Sequence, residues 1–97
     1  MSKEQSTNLF RIVQESLTNV IRHAAATEVE IKIESKDGIL TLEIQDNGKG
    51  ITEAAIADAK SFGLIGIKER AHSLGGVVTI SGTRSVGTRL TVRMPIS

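Results

Sequence analysis

Two groups of residues in this 97-residue chain have types and spacings suited to chemistry. The first is DNGKGI, Asp46 to Ile51, which follows the alternating apolar residues Leu40, Leu42 and Ile44. Asp46 therefore continues the buried phase of a strand with a carboxylate, which is costly unless something hydrogen-bonds it. Two readings stand at this point. Asp46 can open a turn through Asn47-Gly48, or it can line a cavity and accept hydrogen bonds from a ligand. In the second case Gly48 and Gly50 admit a close approach of backbone to that ligand. The second group is Glu15, Asn19, Arg22 and His23. At about 100° per residue the first three fall within about 60° of one another on a helix, with His23 beside them. Such a face is usually just solvated. An acid, a neutral oxygen ligand and two cationic groups would nevertheless suit Mg²⁺ and phosphates. Magnesium keeps waters, so one Asn carbonyl plus phosphate oxygens is enough protein coordination.

Two weaker signals accompany these groups. Thr88 has the same phase on its strand as Asp46, although a threonine at a strand start is ordinary. Gly63-Leu64-Ile65-Gly66 introduces a helix, and N–H groups at a helix start bind phosphate well. No Gly-x-x-x-x-Gly-Lys-Ser/Thr is present, so the chain has no P-loop. Neither His23 nor His72 has neighbours that suggest zinc. The absence of cysteine excludes disulfides and thiolate metal sites and suits a reducing cytosol. A net charge of +1, with acids and bases interspersed, gives no attraction for nucleic acid or an anionic membrane. No apolar run approaches the roughly 20 residues of a membrane span.

The elements that must hold these residues follow from periodicity. Leu9, Phe10, Val13, Leu17, Val20, Ile21 and Ala24 predict a helix from about Thr7 to Ala25, capped by Ser6 or Thr7, with Asn19 opposite the apolar stripe. Val29, Ile31 and Ile33 alternate with charged residues and predict a strand with one buried and one wet face. Asp37-Gly38 turns it into a return strand, Ile39 to Asp46. Residues 53–60 read as a short helix, and IKERAHSLGG as another, ended by Gly75-Gly76. Val77 to Ser81 and Thr88 to Met94 complete the chain. The expected fold is α+β: a two-layer sandwich with a mixed, mostly antiparallel sheet covered on one face by about three helices. With 39% hydrophobic residues and no internal repeat, residues 1–97 are expected to form a single domain.

In this order the pieces resemble the ATP-binding catalytic domain of two-component sensor histidine kinases, within the GHKL (Bergerat-fold) ATPases. RIVQESLTNVIRHA resembles their N box, DNGKGI the first glycine box, GLIGIKERAHSLGG the second, and GTRL the terminal strand motif. RHA and GLIGIKER are most similar to the short-lid subgroup that includes nitrate- and membrane-fluidity-sensing kinases.

The resemblance implies roles residue by residue. Asp46 would accept the adenine amino group, with Thr88 assisting through a shared water. Gly48, Gly50 and Ile51 would shape the base pocket, and Asn19 would ligate Mg²⁺. Glu15 would be the catalytic base or water-orienting acid, while Arg22 and His23 approach the phosphates. Gly63, Leu64 and Gly66 would close over the triphosphate. ATP and Mg²⁺ are thus the implied cofactors, and a phosphoacceptor histidine domain, then a response regulator, the implied partners. The domain is expected to be cytoplasmic and monomeric, within a homodimeric parent whose membrane anchoring the sequence leaves open. It should turn over little without its phosphoacceptor. An anti-sigma-factor serine kinase and a docking module without chemistry are the alternatives.

Overall fold

The computed structural model describes residues 1–50, 64–83 and 86–96, with the side chains of His23, Ala24 and Thr83 outside that description. The short helix expected over residues 53–60 lies outside it as well. The first helix, α1, is Lys3–Asn19, and its start differs from the expected Ser6 or Thr7. Ser2 caps it: its hydroxyl accepts from Gln5 N at 3.1 Å, and Gln5 Oε1 accepts from Ser2 N at 3.2 Å. This reciprocal capping box satisfies two N–H groups and lets polar residues fill the first turn. Gln5 Nε2 also donates to the carbonyl of Pro95 at 3.0 Å, fixing the helix start beside the chain's last strand.

The buried stripe of α1 is Gln5, Leu9, Ile12 and Ser16, rotated from the predicted one. Phe10 is 64% and Ile21 83% exposed, whereas Ile12 is fully buried. Ser16 is accepted into the core because its hydroxyl donates to the Ile12 carbonyl at 2.7 Å. After Asn19 the helix widens into a π-helical turn, Val20–Ala24, ended by Ala25 with φ of 52°. The single helix expected to Ala25 is thus two kinds of helix, and the 100° count stops at Asn19.

Among the described residues four strands follow: β1 (Val29–Lys36), β2 (Ile39–Asp46), β3 (Val77–Thr83) and β4 (Gly87–Pro95), ordered β1-β2-β4-β3. Every pairing is antiparallel, which makes the described sheet simpler than the mixed one expected. Asp37 and Gly38, with φ of 53° and 77°, form the two-residue hairpin turn of the predicted kind. Between β2 and β3 lies α2, Leu64–Ser73. It ends as expected at Gly75-Gly76, where Gly76 N donates to Ala71 O at 2.8 Å and Gly75 N to His72 O at 2.9 Å.

Both helices cover one face of the sheet. The core joins Leu9 and Ile12 of α1, Leu64, Ile67 and Ala71 of α2, and Leu40, Leu42, Ile44, Leu90, Val92 and Met94 of the strands. Among the described residues it is aliphatic apart from one thioether. β1 departs from its expected half-burial: it is exposed along its whole length, with Val29, Ile31 and Ile33 at 39%, 42% and 57%. These side chains share the helix-covered face, since Ile31 pairs with Ile44 and Ile33 with Leu42, but they lie at its uncovered margin.

Candidate functional site

The topology gathers most of the chemistry-bearing residues at one end of the sandwich. α1 starts beside Pro95, which pairs with Ile39 at the beginning of β2. Seventeen residues of helix span about 25 Å, close to the length of an eight-residue strand, so α1 delivers Asn19 to the Asp46 end of β2. α2 finishes against Arg93, where Gly76 leads into β3, so its first residue, Leu64, points toward that same end. The β2–β4 register runs to Gln45 opposite Arg89. One step further sets Thr88 opposite Asp46, on the helix-covered face. The shared phase read from sequence is therefore a spatial pairing.

Asp46 is only 6% exposed. Its Oδ1 accepts from Gly48 N at 2.8 Å, a bond that is itself buried. The carboxylate thus does open a turn, and this is the turn-forming reading of the sequence. It does not exhaust the group. Among the described residues a donor is found on Oδ1 and none on Oδ2. Gly50, with φ of 82°, follows in a conformation that suits glycine.

Asn47 does more than fill a turn. Its Oδ1 accepts from both Thr27 N and Glu28 N at 2.9 Å, and its Nδ2 donates to Thr27 Oγ1 at 2.9 Å. Asn47 N donates to Glu28 O at 3.2 Å. The segment leaving the π-helical turn is thereby bolted to the loop that follows Asp46. Sequence reasoning missed this clasp, although Asn is the side chain that supplies donor and acceptor together. Asn47→Ala is expected to cost about 1–3 kcal/mol from the lost bonds. Thermal unfolding measures it, and Asn47→Asp should recover part of the loss through the retained acceptor.

Gly87 is a second residue outside the expected set. Its φ is 142°, and a Cβ there would fall on the Asp46 carbonyl, with Asn47 Cα at 3.1 Å. Only a glycine lets β4 run this close beneath Asp46.

The remaining expected residues divide. Asn19 and Glu15 are half-buried and one turn apart on α1. Asn19 flanks the buried stripe instead of lying opposite it, three residues beyond Ser16. Neither Asn19 nor Thr88 is without interactions of its own. Arg22 is exposed on the π-helical turn, whose wider winding takes it out of the expected line with Asn19. Leu64 is 2% exposed and packs in the core, which leaves its backbone, not its side chain, for a ligand. Gly66 sits inside the first turn of α2, where an added Cβ would meet the Arg70 guanidinium at 3.2 Å. Ile51, Gly63 and the side chain of His23 lie outside the described residues. An open cleft of about 590 Å³ adjoins this end, lined by Thr27 to Glu30 and Gln45 to Asn47. It touches Asp46 alone of the expected set and lies on the β1 side, so the convergent polar groups define the site better than this opening.

Residues 4–97 match the family described as histidine kinase-, DNA gyrase B-, and HSP90-like ATPase. The chain belongs to this ATPase family. It is 42% identical over 96 residues to the sensor histidine kinase LiaS of Bacillus subtilis, covering 99% of this chain and 26% of that protein. To the signal transduction histidine-protein kinase/phosphatase DegS of the same organism it is 40% identical, covering 92% of this chain and 24% of that one. The chain thus spans about a quarter of these relatives. The ATP binding domain of PrrB from Mycobacterium tuberculosis superposes with a TM-score of 0.81 at 26% identity, over 94% of this chain and 68% of that one. The histidine kinase domain of a blue-light activated kinase from Erythrobacter litoralis shares the fold, with a TM-score of 0.84 at 22% identity over 96% of this chain and 45% of that one. The ATPase domain therefore has the α/β sandwich expected of it. Among the described residues no helix is long and apolar enough to cross a membrane.

Proposed function

We propose that this domain binds Mg·ATP and supplies the γ-phosphoryl group to a histidine on a separate phosphoacceptor domain, from which a response regulator receives it. The observation that carries the reading is the half-used carboxylate of Asp46. A buried acid with one oxygen committed to Gly48 and no donor on the other among the described residues offers a fixed acceptor to an exocyclic amino group. Thr88 stands beside it for the shared water. Gly48 and Gly50 would leave two backbone positions of the loop without side chains for the base to approach.

Asn19 and Glu15 line the α1 side of the same end. The Asn19 side-chain oxygen, with Glu15 one turn away, would suit Mg²⁺ entering with the nucleotide, whose remaining ligands phosphates and water would supply. Bound there, the ion supplies charge neutralisation to the phosphates. Glu15 would act as base or orient the acceptor, and Arg22, His23 and the N–H groups opening α2 would meet phosphate oxygens. The chemistry asked of the chain is positioning and electrostatic stabilisation. The isolated domain should consequently hold nucleotide and turn over little.

Calorimetry with ADP and a non-hydrolysable ATP analogue tests the reading, since the chain has neither Trp nor Tyr for a fluorescence signal. Heat of binding is expected for both nucleotides, and its absence at millimolar Mg·nucleotide refutes the proposal. Asn19→Ala should leave magnesium-free ADP binding nearly intact and abolish the gain from added Mg²⁺. Because Asn19 flanks the buried stripe, a modest loss of thermal stability should accompany it. An unchanged magnesium dependence in titrations with Mg²⁺ and with chelator removes Asn19 from the metal site.

A further inference from the structure

Asp46, Asn47 and Gly48 are consecutive, yet their bonds run in different directions. Asp46 Oδ1 reaches forward to accept from Gly48 N at 2.8 Å, while Asn47 between them is tied sideways to Thr27 and Glu28. The Asn47 side chain accepts two N–H groups and donates to Thr27 Oγ1, and its own N–H donates to Glu28 O, so four bonds hold one residue. A turn from Asp46 to Gly48 requires none of these. They extend the β1–β2 pairing one step beyond Val29 and Asp46. On the β4 side, Gly87 lies against the Asp46 carbonyl and Asn47 Cα.

A carboxylate bonded to a single N–H is oriented only as firmly as that N–H is held. The Gly48 N–H lies in the planar peptide joining Asn47 to Gly48, so its direction follows from the backbone dihedrals of Asn47. With the Asn47 N–H and side chain both tied, φ of Asn47 is fixed and ψ is the one dihedral left between the clasp and that N–H. Loss of the side-chain bonds frees φ as well. The residues that follow include Gly48 and Gly50, which are the least able to stiffen a loop. The Asp46 carboxylate can then spread over its three staggered χ1 wells.

We infer that Asn47 is the positioning residue for base recognition. Through its clasp on Thr27 and Glu28 it holds the Gly48 N–H, and through that bond it holds the Asp46 carboxylate in the orientation that tells an amino group from a carbonyl oxygen on a purine. The inference rests on the adenine reading of Asp46 given above, and it adds a residue that need not touch the nucleotide. Its effect falls on the base and not on the phosphates. An adenine presents an amino group to the fixed acceptor, and a guanine presents a carbonyl oxygen that the same acceptor repels. A carboxylate free to turn aside loses the attraction and the repulsion together.

Two measurements on the 97-residue chain test this. Without nucleotide, hydrogen exchange of the Gly48 amide, read by NMR, should quicken about threefold or more in Asn47→Ala. With nucleotide, calorimetry compares ADP and GDP at a temperature where each variant is folded. With one χ1 well of three competent, the Kd for ADP should rise about threefold in Asn47→Ala, and the preference for ADP over GDP should fall by at least as much. Asn47→Asp keeps an acceptor for Thr27 N and Glu28 N and should stay within about twofold of the original in both measurements. Thr27→Val deletes only the Nδ2–Oγ1 bond, should lower the preference about twofold, and decides the question if Asn47→Ala does not fold. Unchanged Gly48 exchange, equal weakening of ADP and GDP, or an Asn47→Asp variant as impaired as Asn47→Ala overturns the inference. An original domain without preference for ADP refutes the Asp46 reading and this inference with it, whereas a preference that survives Asn47→Ala removes Asn47 alone.

Discussion

Asp46→Asn is expected to weaken adenine nucleotide binding by about 1–3 kcal/mol, roughly 5- to 150-fold, while leaving the domain folded. The reason lies in the division of labour between the two carboxylate oxygens. The Gly48 N–H needs an acceptor, and the carbonyl oxygen of an asparagine can take over from Oδ1. That choice turns the amide nitrogen outward, so a ligand's amino group meets a donor where it had met an acceptor. A ligand presenting a carbonyl oxygen would then be favoured, and preference for adenine over guanine nucleotides should fall. Asp46→Ala behaves differently: it also strips the Gly48 bond and should lower thermal stability. Calorimetry with ATP analogues and GTP on the original domain and both variants separates the effects. Should GTP bind the unmodified domain as well as ATP, the role given to Asp46 is wrong.

Much of this site was legible in the sequence because strands announce parity. The bounds of β2 were read correctly, and the phase that carries Leu40, Leu42 and Ile44 to Asp46 was enough to mark the carboxylate as buried. The same logic matched Thr88 to it before any pairing was known. Asp37-Gly38 and Gly75-Gly76 were legible because few residues tolerate the backbone conformations found there. The helix was harder to read. α1 bears apolar side chains on more than one side, and hydrophobicity alone cannot rank Phe10, Leu17 and Ile21 against Leu9 and Ile12. The sheet and α2 decide it. They bury a stripe that contains Gln5 and Ser16, each satisfied by a hydrogen bond that no pattern of apolar residues reveals. Asn19 moved with that stripe, and the π-helical turn moved Arg22. β1 shows the converse error, since alternation marks a sheet face without showing how far the helices reach across it. Asn47 and Gly87 were missed because their work is with distant backbone: Thr27 and Glu28 in one case, Asp46 in the other.

Gly87→Ala should have a larger effect than a methyl added at Gly38, Gly66, Gly75 or Gly76. Two costs combine. The backbone stands at φ of 142°, outside the regions an alanine occupies without strain, and the new Cβ falls on the Asp46 carbonyl group. Strain of this kind alone costs about 1–3 kcal/mol. Relief of the overlap has to separate β4 from the end of β2, because the obstructing atoms are backbone and cannot rotate away. For a domain of this size each kcal/mol lowers the midpoint by about 4–8 °C, so a loss of about 10 °C or more is expected. Gly38→Ala supplies the control. Gly38 has φ of 77°, also unfavourable for alanine, but no atom lies within 4 Å of its added Cβ, and it sits at the opposite end of the sheet from Asp46. It should lose stability from strain while binding nucleotide with unchanged affinity at a temperature where it is folded. Gly87→Ala, measured under the same conditions, should bind more weakly in addition, since separating the strands moves Asp46 away from Thr88. Equal affinities in the two variants would mean that the close approach of Gly87 serves the fold alone and does not position Asp46 for a ligand.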